Sequence, residues 1–555
     1  MNDIAPASTR ACVSPNRRRQ MPQISVCGAR WLAPLLLTLM VAGCGGGSGS
    51  GGGSSGGPAP APPPAPAPLS DAAATRFLEQ AAFGPTTTDV AHVKAVGFDA
   101  WLTEQFNAPL TDLPDVADTA PLDTAQTAFF ANAVNAPDQL RQRVAFALSQ
   151  IYVVSNAKVD SSKAMINYHR VLLNDAFGSH RQLLRDVTLS PAMGVYLDMV
   201  NNTKADPATG TSPNENYGRE LLQLFSVGVF KLKPDGSVVT DGSAKPVGTY
   251  DQNTIEGFSR ALTGWTFPAR PGQASQDFNP SYFVGPMESH ETYHEPGSKA
   301  LLSGVTLPGG QSAPQDLDAA LSNISQHQNA GPFLALRLIQ ALVKSNPSPA
   351  YIQRVSAAYA DNGASVRGDL KAVIRAVLLD SEARAGDTQA AGSSDGKLRE
   401  PVVFMTRLLR AFKTQTNGAG LASYAQSMRQ DVFNAPSVFN FYPPSYKPRG
   451  STLLGPEFKI LNSNTLMTRL QFASDLSAGA LPTGTSVDLS DFVAVAADVN
   501  ALVNLLDQRL MHGSASATLK SSVAQALNAI GTDGATRAAT AVYLFAGSPE
   551  FQIQR

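Results

Sequence analysis

A large, mainly α-helical body, preceded by a signal peptide and a disordered linker, is the fold class this sequence predicts. Three observations predict it: apolar residues recur at helical spacing through residues 70–555, helix start and stop signals punctuate those stripes, and strand signals are sparse. Leu140, Val144, Leu148 and Ile151 form the first clear stripe. Ser212-Pro213-Asn214-Glu215 reads as a capping box with proline at the first helical position. It is followed by the stripe Tyr217, Leu221, Leu224, Phe225 and by Gly228 as the stop. Phe230 to Val239, around Pro234-Asp235-Gly236, is the best strand signal and predicts a hairpin turning at Asp-Gly. Residues 266–300 lack helical periodicity and predict a long ordered loop, a type often tied to function. Phe333, Leu334, Leu336, Leu338, Ile339, Leu342 and Val343 surround their axis after Pro332, so that helix runs through the core and Arg337 within it needs a carboxylate partner. Ser348-Pro349 starts another helix, and Leu370, Val373, Ile374, Val377 and Leu378 make a further stripe together with small β content in short pieces.

The N-terminal region reads as an address rather than a fold. Residues 32–43 are an apolar stretch of signal-peptide length, shorter than the roughly 20 residues a membrane-crossing helix needs, with Arg30 as the positive flank. The run ends Val41-Ala42-Gly43-Cys44, which resembles a bacterial lipobox and makes residues 1–43 the signal peptide and Cys44 the lipidated N-terminus. The other reading is an ordinary secretory signal with a chance cysteine. Arg17-Arg18-Arg19 continues poorly as a twin-arginine signal, and a start at Met21 leaves a leader of ordinary length. Gly45, rather than Asp, after the cysteine points to the outer membrane or cell surface, with the periplasmic side left open. Residues 44–69 form the tether: Gly/Ser from 45 to 57, a coil of about 20 Å, then an Ala/Pro rod of up to roughly 37 Å.

Composition excludes several classes. The chain has 555 residues, 43 basic and 44 acidic, and only 16% charged. Loss of the leader removes five arginines and one aspartate, leaving the rest with a charge of about −5, so nucleic acid is not an expected partner. Cys12, Cys27 and Cys44 are the only cysteines, so the body has no thiol for disulfides, metal clusters or catalysis.

Several blocks carry a family resemblance. They are Arg76-Phe77-Leu78 through Ala82-Phe83-Gly84-Pro85, Leu140 to Gln150, Asn216-Tyr217-Gly218-Arg219-Glu220-Leu221, Ala261-Leu262-Thr263-Gly264-Trp265 and Gly396-Lys397-Leu398-Arg399-Glu400-Pro401. Ser345 to Tyr351, Arg367 to Lys371 and Ser437-Val438-Phe439-Asn440-Phe441 join them. Together, across about residues 72–465, they resemble the bacterial domain-of-unknown-function 1800 family. The resemblance implies an exported, predominantly helical protein, often encoded beside a sulfatase-like exported protein that is thereby an expected partner. It implies no reaction, cofactor or assigned site. Asn214 stands where the family tends to have Asp, which leaves any role of that carboxylate in doubt here.

Three constellations are candidates for chemistry. His290-Glu291-Thr292-Tyr293-His294 formally matches the zincin signature, but Pro286 before it and Glu295-Pro296-Gly297 after it argue for a loop. His290 and His294 therefore stand as weak metal candidates, with no cofactor assigned. A polar joint around Asn216, Arg219 and Glu220, with His294 and Glu295, is a candidate polar site for sugar hydroxyls or a small ligand. Its structural account is capping by Glu215 and the i,i+4 pair Glu215–Arg219. Finally, Phe433, Phe439, Phe441, Tyr442 and Tyr446 interleave with prolines, and Tyr442 and Tyr446 are the candidate stacking surfaces, against the plainer account of irregular core. The expected function is that of a cell-envelope lipoprotein binding an envelope polysaccharide or exported protein, the alternative being a hydrolase, metal-dependent or not. Whether it is an enzyme stays open.

Overall fold

A computed structural model describes residues 68–387 and 395–555. The predicted signal segment, Cys44 and the linker to residue 67 lie outside the described residues. The described residues lie in one unit. It is mainly α, with 23 α-helices among the described residues and strands only as four two-residue antiparallel pairs and isolated bridges. Hydroxyl and carboxyl caps begin many of the helices: Ser70 accepts from Ala73 N, Ser348 from Tyr351 N, and Ser312 and Gln315 form a reciprocal capping box. Helices Gln139–Ser149 and Leu370–Leu379 bury the stripes that their spacing predicts, each Leu, Val or Ile contributing about 1.5–3 kcal/mol relative to exposure.

Two apolar cores result. The first gathers residues between Ala74 and Ala383 together with Ala435, and includes helix Ala330–Leu342, which is buried on several faces as its all-round apolar pattern predicts. The second gathers helices Pro401–Ala411, Ser463–Ser477, Val499–Met511 and Gly534–Gly547 around Phe404 and Phe545, and takes Phe83, Phe129, Phe130 and Phe146 from the first half of the chain.

Two local expectations need correction. Ser212 caps nothing: the helix begins at Asn216, because Asn202 holds Asn214 in extended chain by bonds to both its N–H (2.8 Å) and its carbonyl (3.2 Å). Five residues later it widens into a π-helical turn, Leu221–Ser226, before Gly228 at φ 72° ends it. Arg337 has no carboxylate partner; its head lies 3.5 Å from Gln340 Oε1 and over the Phe333 ring. The hairpin expectation holds, with Leu232 bridging Val238 and a third segment near Val247 closing on both. Residues 266–300 are non-helical apart from one turn of 3₁₀, held by the pairing of Trp265–Thr266 with Glu288–Ser289.

The two cores are joined at Gly396-Lys397-Leu398-Arg399-Glu400-Pro401. Lys397 and Leu398 pair with Gln554 and Ile553, and Gly396, at φ 94°, sits so close that a Cβ would lie 2.0 Å from Gln554 O. Arg399 Nη2 donates to Glu79 Oε2 at 2.8 Å and Arg407 Nε to Glu79 Oε1 at 2.8 Å, all three fully buried. The first helix, Asp71–Ala81, is thus clamped to the helix beginning at Pro401. Burial opposes the ionised Glu79, yet the two guanidiniums hold its pKa down at about 2.

Glu79→Ala therefore destabilises the chain by about 3–5 kcal/mol in urea unfolding, since it strands two buried cations. The stabilisation from Glu79 is present above its ordinary 4.5 and lost as pH falls toward about 2, so the gap between wild type and Glu79→Gln narrows over that range. Asp175 behaves oppositely. Burial and neighbouring Asp186 raise its pKa from 3.8 to about 7, so its contribution to stability is lost as pH rises from 4 to 7. Asp175→Asn should remove that component of the pH dependence, read as melting temperature against pH.

Candidate functional site

Beside this joint lies a cavity of about 80 Å³. Five elements wall it: the end of helix Gln139–Ser149 with Gln150 and Ile151, the π-helical turn Leu221–Ser226 with Leu224, helix Ala330–Leu342 with Arg337 and Gln340, the strand residue Lys397, and the proline-rich segment 438–457. Apolar walls come from Ala147, Ile151, Leu224 and Val438, and Phe439, 48% exposed, stands at the mouth. That mixture, mostly apolar with a few convergent polar groups, is the composition of small-ligand sites.

The polar groups are unequally satisfied. Lys397 spends its three donors on Gln340 O (2.9 Å), Ala341 O (2.9 Å) and Glu457 Oε1 (3.1 Å). Glu400, behind it at the N-terminus of helix Pro401–Ala411, accepts at Oε2 from Gln430 (2.6 Å), Tyr442 (2.8 Å) and Gln150 (2.9 Å). Burial opposes its charge, but Lys397 and Arg143 outweigh burial and keep its pKa below the usual range. Glu457, from the 3₁₀ turn Pro456–Lys459, is buried with Oε2 unpartnered, and desolvation lifts its pKa despite Lys397. Arg337 carries the one guanidinium among the cavity-lining residues, and it has no carboxylate partner. Desolvation lowers its pKa to about 10, which leaves it a cation at neutral pH. Arg143, Arg337 and Lys397 against Glu400 and Glu457 make the surroundings cationic even with both acids ionised, so the arrangement suits an anionic group.

The sequence-predicted residues fall elsewhere, with one exception. Tyr442 lines this cavity, but as a buried ring whose hydroxyl donates to Glu400; it is not a surface stacking face, because its hydroxyl finds its partner inward. Tyr446 is half-buried beneath the Lys459 ammonium, 5.5 Å from its ring centre. The five residues of the polar joint do not share one cleft. Arg219 pairs with Glu215 at 2.6 Å and reaches Gln252, and Asn216 donates to Asp198 at 2.9 Å. His294 and Glu295 instead close around Thr263 and Arg260 at the other end of helix Gln252–Ala261, about 15 Å along its axis. Glu220 is half-buried with Oε2 unpartnered, and desolvation raises its pKa.

The His290-to-His294 segment is not the mid-helix motif a zincin requires. Both histidines are in extended backbone around a 3₁₀ turn, and Glu291 accepts from Ala313 N at 3.1 Å, capping the next helix. His294 Nδ1 donates to Thr263 O (2.9 Å) and its Nε2 lies 2.8 Å from buried Asp316, which also takes Lys299 at 2.5 Å. His290 faces Ser275 and Asp277. Among the described residues, no three His, Asp or Glu side chains are grouped to hold a metal.

Gln150, Lys397, Asn440 and Glu457 escape sequence reasoning, since nothing in their local spacing marks a site. Arg337 is the legible one: a cation inside an all-round apolar helix has to face something polar.

No curated protein and no solved structure matches the chain. A family described as a protein of unknown function (DUF1800) matches residues 76–553, beyond the blocks that end near 465 and as far as Ile553, which pairs with Leu398. With that match spanning most of its length and the buried joint it encloses, the chain belongs to the DUF1800 family.

Proposed function

We propose that the protein is an exported envelope lipoprotein, anchored through Cys44 and held off the membrane by its tether, whose body binds an acidic group of an envelope polymer. The observation that carries the binding reading is Arg337: a cation on a core helix, its head in a cavity, with no carboxylate within reach. The half-buried guanidinium has given up part of its water without gaining an anion, and an anionic ligand supplies the missing partner. Phe439 at the mouth offers a ring face to a sugar. Neither group is arranged as a nucleophile with its base, which favours binding over hydrolysis as the working reading.

Ligand-observed NMR of the full chain with D-glucuronate and with neutral glucose tests this. The acid binds and glucose does not, and Arg337→Met weakens the acid at least about tenfold while the melting temperature holds. Equal binding of the two sugars, or an Arg337→Met chain that binds as wild type does, overturns the reading. For the anchor, Cys44→Ser abolishes incorporation of a palmitate analogue and frees the body from membranes; persistent labelling refutes it.

A further inference from the structure

A loop stands on the rim of the cavity. Pro444 and Pro456 both line the cavity, and the chain between them leaves the wall and returns to it. Gly455 N donates to Tyr446 O at 2.9 Å and closes the base of the loop, while Ser451 N donates to Pro448 O at 3.0 Å and, with Gly450 at φ 80°, turns its tip. Asn346 fixes one side to the body: its Nδ2 donates to Leu454 O and its Oδ1 accepts from Leu454 N, both at 2.8 Å. The loop is therefore held in place beside the mouth.

Its charge is of one sign. Glu457 is the only acid between Asp431 and Asp475, and it is buried and held by Lys397. Lys447 and Arg449 on the loop and Lys459 beyond it are exposed, and none pairs with a carboxylate among the described residues. On the side of the Asn346 anchor, Glu382 and Asp395 are both engaged by Lys344. The Lys459 ammonium lies over the Tyr446 ring, which draws it back across the base of the loop, and Leu453 and Phe458 add exposed apolar surface. Three exposed, unpaired cations on a body of net negative charge make a local field that concentrates a polyanion.

We propose that Lys447, Arg449 and Lys459 hold the continuing chain of an acidic polysaccharide, so that the ligand is a polyuronate engaged over several units, one carboxylate entering to Arg337 and its neighbours crossing the rim. The inference rests on the acidic-group reading above for that first carboxylate and adds the class of polymer. An extended polyanion can run from a recessed cation out over the rim, whereas a bilayer surface meets the rim alone.

Calorimetric titration of the full chain with D-galacturonate, with its α-1,4-linked tetramer and with neutral maltotetraose, at about 20 mM and about 500 mM salt, tests this. At the lower salt the tetramer binds about tenfold more tightly than the monomer, the gain expected of three exposed ion contacts, and the higher salt removes most of that gain. Maltotetraose does not bind. The triple variant Lys447→Gln, Arg449→Gln, Lys459→Gln melts as wild type does and binds the tetramer no better than the monomer. Equal affinity for tetramer and monomer in wild type, or an undiminished tetramer in the triple variant, overturns the inference and leaves the acidic-group reading standing. A tetramer that depends on the rim, with no binding of the monomer and no effect of Arg337→Met, supports the rim and overturns Arg337 as its anchor. Phosphatidylglycerol vesicles that bind wild type but not the triple variant, with no binding of the tetramer, assign the rim to a membrane and overturn the polymer.

Discussion

The buried pairing of Glu79 with Arg399 and Arg407 is the constraint on which the rest of the structure hangs. It unites residues more than three hundred positions apart, and it lies where the two apolar cores abut. Hydrophobic burial is non-directional and tolerates sliding; a carboxylate whose two oxygens each take one guanidinium does not. Such a pair adds little over a well-packed apolar substitute, but its halves are costly apart. Its contribution is therefore to register: the first helix, the helix after Pro401 and the C-terminal strand have one mutual arrangement in which none of these charges is stranded.

That register creates the cavity. The strand ends at Leu398, so Arg399 is released from its alternation: Arg399 goes to Glu79 and the C-terminus, Lys397 toward the site. Lys397 then holds Glu457 and, at longer range, Glu400, and Glu400 collects Gln150, Gln430 and Tyr442. The polar wall is thus the outward end of the same network that joins the cores. The Glu79 carboxylate is matched at both oxygens on the inner side of this network, and Arg337 on the cavity side is the cation left without a carboxylate.

The segment 438–457 earns its prolines and aromatic rings in this light. Asn440 adopts φ 61°, tolerable for Asn, and turns the chain so that Phe439 points to the mouth while Tyr442 dives to Glu400. A tyrosine two or three residues from an exposed phenylalanine looks equally exposed in a one-dimensional pattern. Only the buried acceptor decides which ring goes in.

From residues alone, the helical class, the stripes of helices Gln139–Ser149 and Leu370–Leu379, the core passage of helix Ala330–Leu342 and the non-helical stretch 266–300 were legible, because periodicity and turn chemistry are local properties. Arg337 was legible as an anomaly. What only tertiary structure decided was whom each polar residue meets. The Asn202 clamp displaced the helix start to Asn216, Asp316 and Thr263 claimed His294, and Arg337 was left facing Glu457's cavity rather than a carboxylate. Pairings between charges separated by tens to hundreds of residues leave no period in the sequence, because long-range electrostatics acts on positions that packing sets first.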